Sequence, residues 1–317
     1  MSDAGLIRWA QPSVILVATD LSDLDRLVPF ALQFAHESDA RIILLHVLGA
    51  GAGIAADATG MPYYDPAGAI DFAIKTIEPW RATARAQEIA CDAVVREGNP
   101  AQQIIAAARQ FNAQRLILGT RSRSKVSKLL LGSVAEQVLR SVNLPVMTVG
   151  PEAHLEGASD TRQRVVLHAT TLRETSSPSA ALACRIASAQ KANLVLLHVL
   201  PPLDEMIREH LPTGLDSTAM RELRILAAEI GADDSCCTRV EPRVAHGHPA
   251  IEILATAAEL SANLIVLGAT QRSAFHNLTH DRTIYRVLAH ARCPVLTLRD
   301  MEEEATPVPP ERDAIHL

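Results

Sequence analysis

The chain repeats itself, and that repetition limits its fold more than any other feature of the 317 residues. Leu45-His46-Val47-Leu48 returns as Leu197-His198-Val199-Leu200, and Gly98-Asn99-Pro100-Ala101 returns as Gly247-His248-Pro249-Ala250. Leu116-Ile117-Leu118-Gly119 reappears as Ile265-Val266-Leu267-Gly268, and Leu144-Pro145-Val146 as Cys293-Pro294-Val295. Gly98 and Gly247 stand 149 positions apart, as do Pro145 and Pro294, and near the start the offset is 151, which sets Asp20 against Thr171. Two copies of one scaffold are expected, over 1–150 and 164–300, joined by a polar linker from Gly150 to Gln163. A chain of this length can give each copy its own core.

Within the first copy, Val14 to Thr19 and Arg41 to Leu48 are continuous apolar and β-branched runs that read as buried strands. Asp20 and Ser22 offer caps for a helix between them that reaches about Glu37. Gly49 to Pro66, rich in Gly, Ala and Pro, reads as a mobile loop. Ala67 to Ala90 has helical spacing that Pro79 should kink or split. After a short strand, Cys91 to Arg96, Asn99 and Pro100 make a compact helix start, because Asn caps and Pro at the first position lacks only an N–H that would go unpaired. That helix runs to about Phe111. Strands at Gln114 to Gly119 and Leu144 to Val149 flank a helix from Ser133. Strands alternating with helices imply a parallel sheet covered on both faces. Ligands collect beyond the carboxyl ends of such strands, near the switch in strand order, where Asp20, Val47 and Gly119 fall.

Composition narrows the function. Aromatics are 3% of the chain, so the core must come from aliphatic residues, and a formal net charge of −6 supplies no basic footprint for nucleic acid. No apolar run approaches membrane-spanning length and Met1 to Gln11 holds no apolar signal core, so a cytoplasmic protein with no membrane partner is expected. Five cysteines, with Cys236 and Cys237 adjacent, do not make a disulfide framework in a chain this size, and reduced thiols are expected. His246-Gly247-His248 has metal-ligand residue types. Its counterpart is Glu97-Gly98-Asn99, however, so it reads as a strand-to-helix turn, and no metal site is assigned. His46 and His198 end buried strands and read as scaffold. The acidic run Glu302 to Glu304 and the Pro-rich stretch Pro307 to Pro310 read as a solvated, disordered tail over 301–317.

Leu116 to Val134 carries the chemistry. An apolar run ends at Gly119, a loop with Arg121, Arg123, Lys125 and Lys128 follows, and Gly132-Ser133 opens a helical pattern. Unpaired N–H groups at a helix start carry partial positive charge and suit a phosphate, and glycine lets the backbone approach an anion closely. The plainer reading is a connector whose basic residues are solvated. In the second copy Ser122 becomes Gln271, Gly132 becomes Asp281 and Ser133 becomes Arg282. A carboxylate at that helix start repels phosphate, so the second copy keeps the scaffold and loses the anion site.

This loop resembles the nucleotide-binding motif of the universal stress protein family, G-x2-G-x9-G-[ST]. It stands here as Gly119-x2-Ser122-x9-Gly132-Ser133, with serine at the middle glycine and Val134-Ala135-Glu136-Gln137-Val138-Leu139 following. The strands Val14 to Thr19 and Leu44 to Val47 are similar to the two that form the family's adenosine pocket. The resemblance implies a tandem protein of two doubly wound α/β sandwiches. Each would have five parallel strands of the adenine-nucleotide alpha hydrolase-like type, and the two would pack through their last strands as an intramolecular pseudo-dimer, with a homodimer as a further level of assembly. It implies that Asp20 and Val47 contact adenine or ribose, and that Ala18 and Thr19 line the pocket. Leu118 and Gly119 would run along ribose and phosphates, and Ser122, Gly132, Ser133 and Val134 would offer donors to the phosphate chain. The implied ligand is ATP in the first domain only, which Mg or Mn could accompany.

The chain has no G-x4-G-K-[ST] motif and no residue placed as a water activator, so no catalytic residue is assigned. The expected protein is an ATP-binding stress-response regulator or adaptor with little or no hydrolysis, acting on protein partners not identified by sequence. The competing expectation is a non-nucleotide-binding protein-interaction module of the same family.

Overall fold

The structure is a computed structural model. It describes the chain apart from residues 1–2, 50–53, 57–58, 60, 121–130, 156–162, 173–177, 201, 203–214, 232–238, 271–281 and 301–317. The basic loop with Ser122, the vicinal pair Cys236-Cys237, Gln271 with Asp281, and the acidic tail therefore lie outside the described residues.

The first half opens with a short helix, α1 (Asp3–Ala10), and continues through β1 (Val14–Thr19), α2 (Leu24–Ser38) and β2 (Arg41–Leu48). A small ribbon of β3 (Ile54–Ala56) and β4 (Pro62–Tyr64) precedes α3 (Pro66–Ala86), β5 (Cys91–Glu97), α4 (Pro100–Gln110), β6 (Arg115–Gly119), α5 (Ser133–Ser141) and β7 (Val146–Val149). The second half runs β8 (Val165–Ala169), α6 (Pro178–Ala189), β9 (Asn193–Leu200), α7 (Leu215–Gly231), β10 (Val240–His246), α8 (Pro249–Glu259), β11 (Leu264–Thr270), α9 (Arg282–His290) and β12 (Val295–Asp300).

Each half builds a parallel five-stranded unit, and the two fuse into one ten-stranded sheet in the order β10-β9-β8-β11-β12-β7-β6-β1-β2-β5. The fusion is the antiparallel pair β7–β12, with Leu296 against Met147, so packing through the last strands is what the structure shows. Pairing these strands leaves neither with an open edge. Every residue of β1 and β7 is buried, as parallel strands covered on both faces require. One aliphatic core lies on each face of the sheet, and each contains residues from both halves. Glu37 at the end of α2 adds a polar tie, accepting from Arg164 Nη1 at 2.6 Å and Gln190 Nε2 at 2.7 Å.

Several expectations need correction. The 49–66 stretch is not wholly loop, because β3 and β4 pair antiparallel, Ile54 with Tyr64, an arrangement too short for periodicity to reveal. Pro79 does not split α3, which runs 21 residues through it. The cap of α2 is Asp23, not Asp20 or Ser22, and its side chain makes no capping bond. Instead Asp20 Oδ1 accepts from Ser22 N at 2.9 Å, a turn that competes with capping. The reduced-thiol reading holds for Cys91 and Cys293 but not for Cys184, which is disulfide-bonded. The polar first residues form a helix whose Leu6 and Ala10 join the core. Asn99 does cap α4, accepting from Gln102 N at 3.1 Å.

Candidate functional site

Counting sheet strands within the first half, the order is third, second, first, fourth, fifth, so the switch point lies between β1 and β6. Crossovers leave that point on opposite faces of the sheet and open a crevice at the strand ends. A cleft of about 200 Å³ occupies it. Nine of the ten residues expected at a ligand site line this cleft: Ala18, Thr19 and Asp20 from the end of β1, Val47 from β2, Leu118 and Gly119 from β6, and Gly132, Ser133 and Val134 from the start of α5. The tenth, Ser122, lies outside the described residues.

The α5 end of the cleft is donor-rich. Gly132 N donates to Thr120 O at 3.0 Å, and helical bonding begins with Glu136 N donating to Gly132 O at 2.9 Å. Glycine at the N-cap supplies no side-chain acceptor, so among the described residues the amides of Ser133, Val134 and Ala135 have no partner. Three such amides at a helix start form an anion-favouring terminus. Gly132 sits at φ −59°, a conformation open to any residue, so its value there is the absence of a side chain.

The β1 end is acceptor-rich. Asp20 is exposed, whereas Asp23, which the sequence reading did not select, is only 7% exposed and lines the same cleft. Thr19 Oγ1 donates to Asp23 Oδ1 at 2.6 Å and accepts from Leu21 N at 2.9 Å. Burial raises the Asp23 carboxyl above the usual carboxylate range, opposed chiefly by the Thr19 hydrogen bond. Arg26 lies 3.9 Å from Asp23. A Cβ on Gly119 would fall 2.4 Å from Asp23 Oδ2 and 3.1 Å from Arg26, so that glycine is what lets the buried carboxylate close against β6. The available signal for Asp23 was its place directly before the apolar helical pattern. His46 Nδ1, 2.9 Å from Thr19 O, ties β2 to β1.

The second half keeps the ties. Leu172 N donates to Thr170 Oγ1 at 3.2 Å, and His198 Nδ1 lies 2.9 Å from Thr170 O. His248 starts α8 without a side-chain cap bond, and His246 Nε2 meets Asp216 Oδ1 at 2.8 Å. Among the described residues no group of three or more His, Cys, Asp or Glu could hold a metal ion, and no helix is long and apolar enough to cross a membrane.

Comparison with known proteins matches this chain twice to one family model, described as "Universal stress protein family", over residues 13–150 and 163–299. A universal stress protein of Mycolicibacterium smegmatis is 26% identical over 316 residues, covering 93% of this chain and 99% of the relative. A universal stress protein of Methanothermobacter thermautotrophicus is 30% identical over 141 residues, 39% of this chain and 86% of that one. Among solved structures, the crystal structure of a universal stress protein from Archaeoglobus fulgidus superposes with a TM-score of 0.66 at 22% identity, covering 93% of this chain and 99% of that one.

Proposed function

Because this chain belongs to the universal stress protein family along both of its halves, we propose that it is an ATP-binding stress-response regulator or adaptor, with nucleotide in the first half only. The observation that carries this reading is the cleft itself, with amides that are unpaired among the described residues at one end and carboxylates at the other. A triphosphate suits the amides of Ser133, Val134 and Ala135, with Gly132 giving its oxygens room. Asp20 and Asp23 would repel phosphate, which leaves the β1 end to ribose hydroxyls and the adenine amino group, donors that a carboxylate accepts. Val47, Ala18 and Leu118 supply apolar surface for the base. Ser122 would contribute from the intervening loop. Mg or Mn, where it accompanies ATP, would be held by the nucleotide, since the residues at the cleft do not form a carboxylate cage. None of them is placed to activate water, so hydrolysis should be little or none. The two domains are taken as 1–150 and 164–300, with 301–317 beyond them.

A second reading, an interaction module that binds no nucleotide, draws on the size of the cleft. About 200 Å³ is less than the roughly 300–1,000 Å³ of ordinary small-molecule pockets. Calorimetric titration of the full chain with ATP separates the two. One site per chain is expected. Absence of binding up to millimolar ATP, with binding gained in Ser122→Gly, would establish the interaction module instead.

A further inference from the structure

A second hollow, of about 420 Å³, lies at the opposite end of the sheet, below the starts of β6 and β7. Its walls are α1, the last turn of α4 and the 141–144 connection after α5. Two exposed arginines, Arg8 and Arg109, and the half-buried Trp9 line it, and no acidic side chain among the described residues does. Helix carboxyl ends would offset the arginines if their carbonyls were open. Five of them are engaged: Phe111, Asn112 and Ala113 amides donate to Ala107, Arg109 and Ala108, Val142 N to Val138 O, and Arg299 Nη1 to Arg140 O. The guanidinium groups therefore set the sign of the hollow.

The last strand delivers its end to this place. β12 runs antiparallel to β7, with Thr297 against Val146. Continuing that register sets Arg299 level with Leu144 and Asp300 level with Asn143, both of which line the hollow. Arg299 Nη1 donates to Arg140 O at 2.6 Å, one residue before the lining begins. The chain that continues, 301–317, carries Glu302, Glu303, Glu304, Glu311 and Asp313 against a single Arg312. Its first three carboxylates follow within about 14 Å of extended chain from the strand's end, so the entropic cost of closing the contact is small.

We infer that residues 301–317 dock back into this hollow, with Glu302 to Glu304 against Arg8 and Arg109. Carboxylate–guanidinium pairs are charge-assisted and geometrically specific. The stretch Pro307 to Pro310 supplies the complement to Trp9, since proline-rich segments enter aromatic-lined grooves in a preformed extended conformation. Composition by itself suggests a solvated tail; the place where the strand ends supplies the reason for it to bind.

The test uses Trp80→Phe, which leaves Trp9 as the single tryptophan of the two in the chain. Acrylamide quenching of Trp9 is measured in the full chain, in a chain ending at Asp300, and in each with Arg8→Gln and Arg109→Gln. Deleting the tail should raise the quenching constant about twofold, and about 1 M salt, which shortens the Debye length to ~3 Å, should do the same in the full chain. The arginine pair should raise quenching only where the tail is present. Unchanged quenching on deletion overturns the inference, as does an arginine effect of equal size with and without the tail. Protection that grows with protein concentration also overturns it, because the occupant is then a second copy. Salt release needs no arginine variant, so misfolding of those variants leaves the question answerable.

Discussion

At the ends of their first strands the two halves share a frame and differ in what the frame presents. Thr19 and Thr170 each accept from the amide two residues on, and His46 and His198 each meet the carbonyl of that threonine at 2.9 Å. Leu21 and Leu172 both take the left-handed conformation, at φ 72° and 57°, a strain that non-glycine residues bear only where the surroundings hold them. Yet Asp20 stands opposite Thr171, Gly132 opposite Asp281 and Ser133 opposite Arg282. The groups that hold the strand ends persist, as do Leu118-Gly119 in Leu267-Gly268, while the helix start at Gly132-Ser133 and the residue at Asp20 differ, so the frame is kept where the proposed phosphate seat is not. The cores diverge too. Fully buried Arg115, which donates to Trp9 O at 2.9 Å, stands opposite Leu264, and buried His168 stands opposite Val17. Burial pushes the Arg115 guanidinium down to about 10, still charged at neutral pH, so it can anchor α1.

The sharpest test of the comparison is a bulky residue at the equivalent glycines. Gly119→Val drives a side chain into Asp23, and ATP affinity measured by calorimetry should fall about 100-fold, which is about 2.7 kcal/mol. Gly268→Val should leave it unchanged, and an equal loss from both would break the proposed asymmetry. Next in size is a pH effect confined to the second half. Burial lowers His168 to about 4 from 6.5, opposed by its hydrogen bond to Val266. The unfolded chain therefore takes up a proton that the folded chain refuses. This contribution to stability is complete above pH 6.5 and is lost as pH falls toward 4. Urea unfolding should show a loss of about 2 kcal/mol from this group between pH 7 and pH 5, and His168→Val should abolish it. The smallest effect separates the two threonines. Thr19→Val removes a donor from a buried carboxylate as well as an acceptor for Leu21 N, so it should destabilise by about 1 kcal/mol more than Thr170→Val, as read from urea midpoints. Equal costs would mean that Asp23 draws no support from Thr19.

Much of this was legible in the chain. The repeat offsets and the apolar runs identify both sets of strands, because fully buried parallel strands are continuous hydrophobic segments. Asn99-Pro100 identifies a helix start through local chemistry alone. That Gly119, Gly132 and Ser133 meet at one cleft was readable because a strand end, a loop and a helix start follow each other at fixed spacing. Asp23 was not, because its role arises from lying against Gly119 across two strands, a contact between residues 96 positions apart. The β3–β4 ribbon was missed because three-residue strands leave no periodic trace, and the Cys184 disulfide because pairing is a matter of proximity in space.

The sequence by itself determined two copies of an alternating strand–helix unit and the asymmetry between them, since periodicity, turn residues and motif spacing are local properties of the chain. Only the tertiary structure decided that the copies join edge to edge through β7 and β12, that a buried carboxylate shares the cleft with the start of α5, and that the final strand runs toward the hollow lined by Arg8 and Arg109. Each of these depends on which distant segments meet, and that is set by the simultaneous burial of both sheet faces rather than by any one stretch of residues.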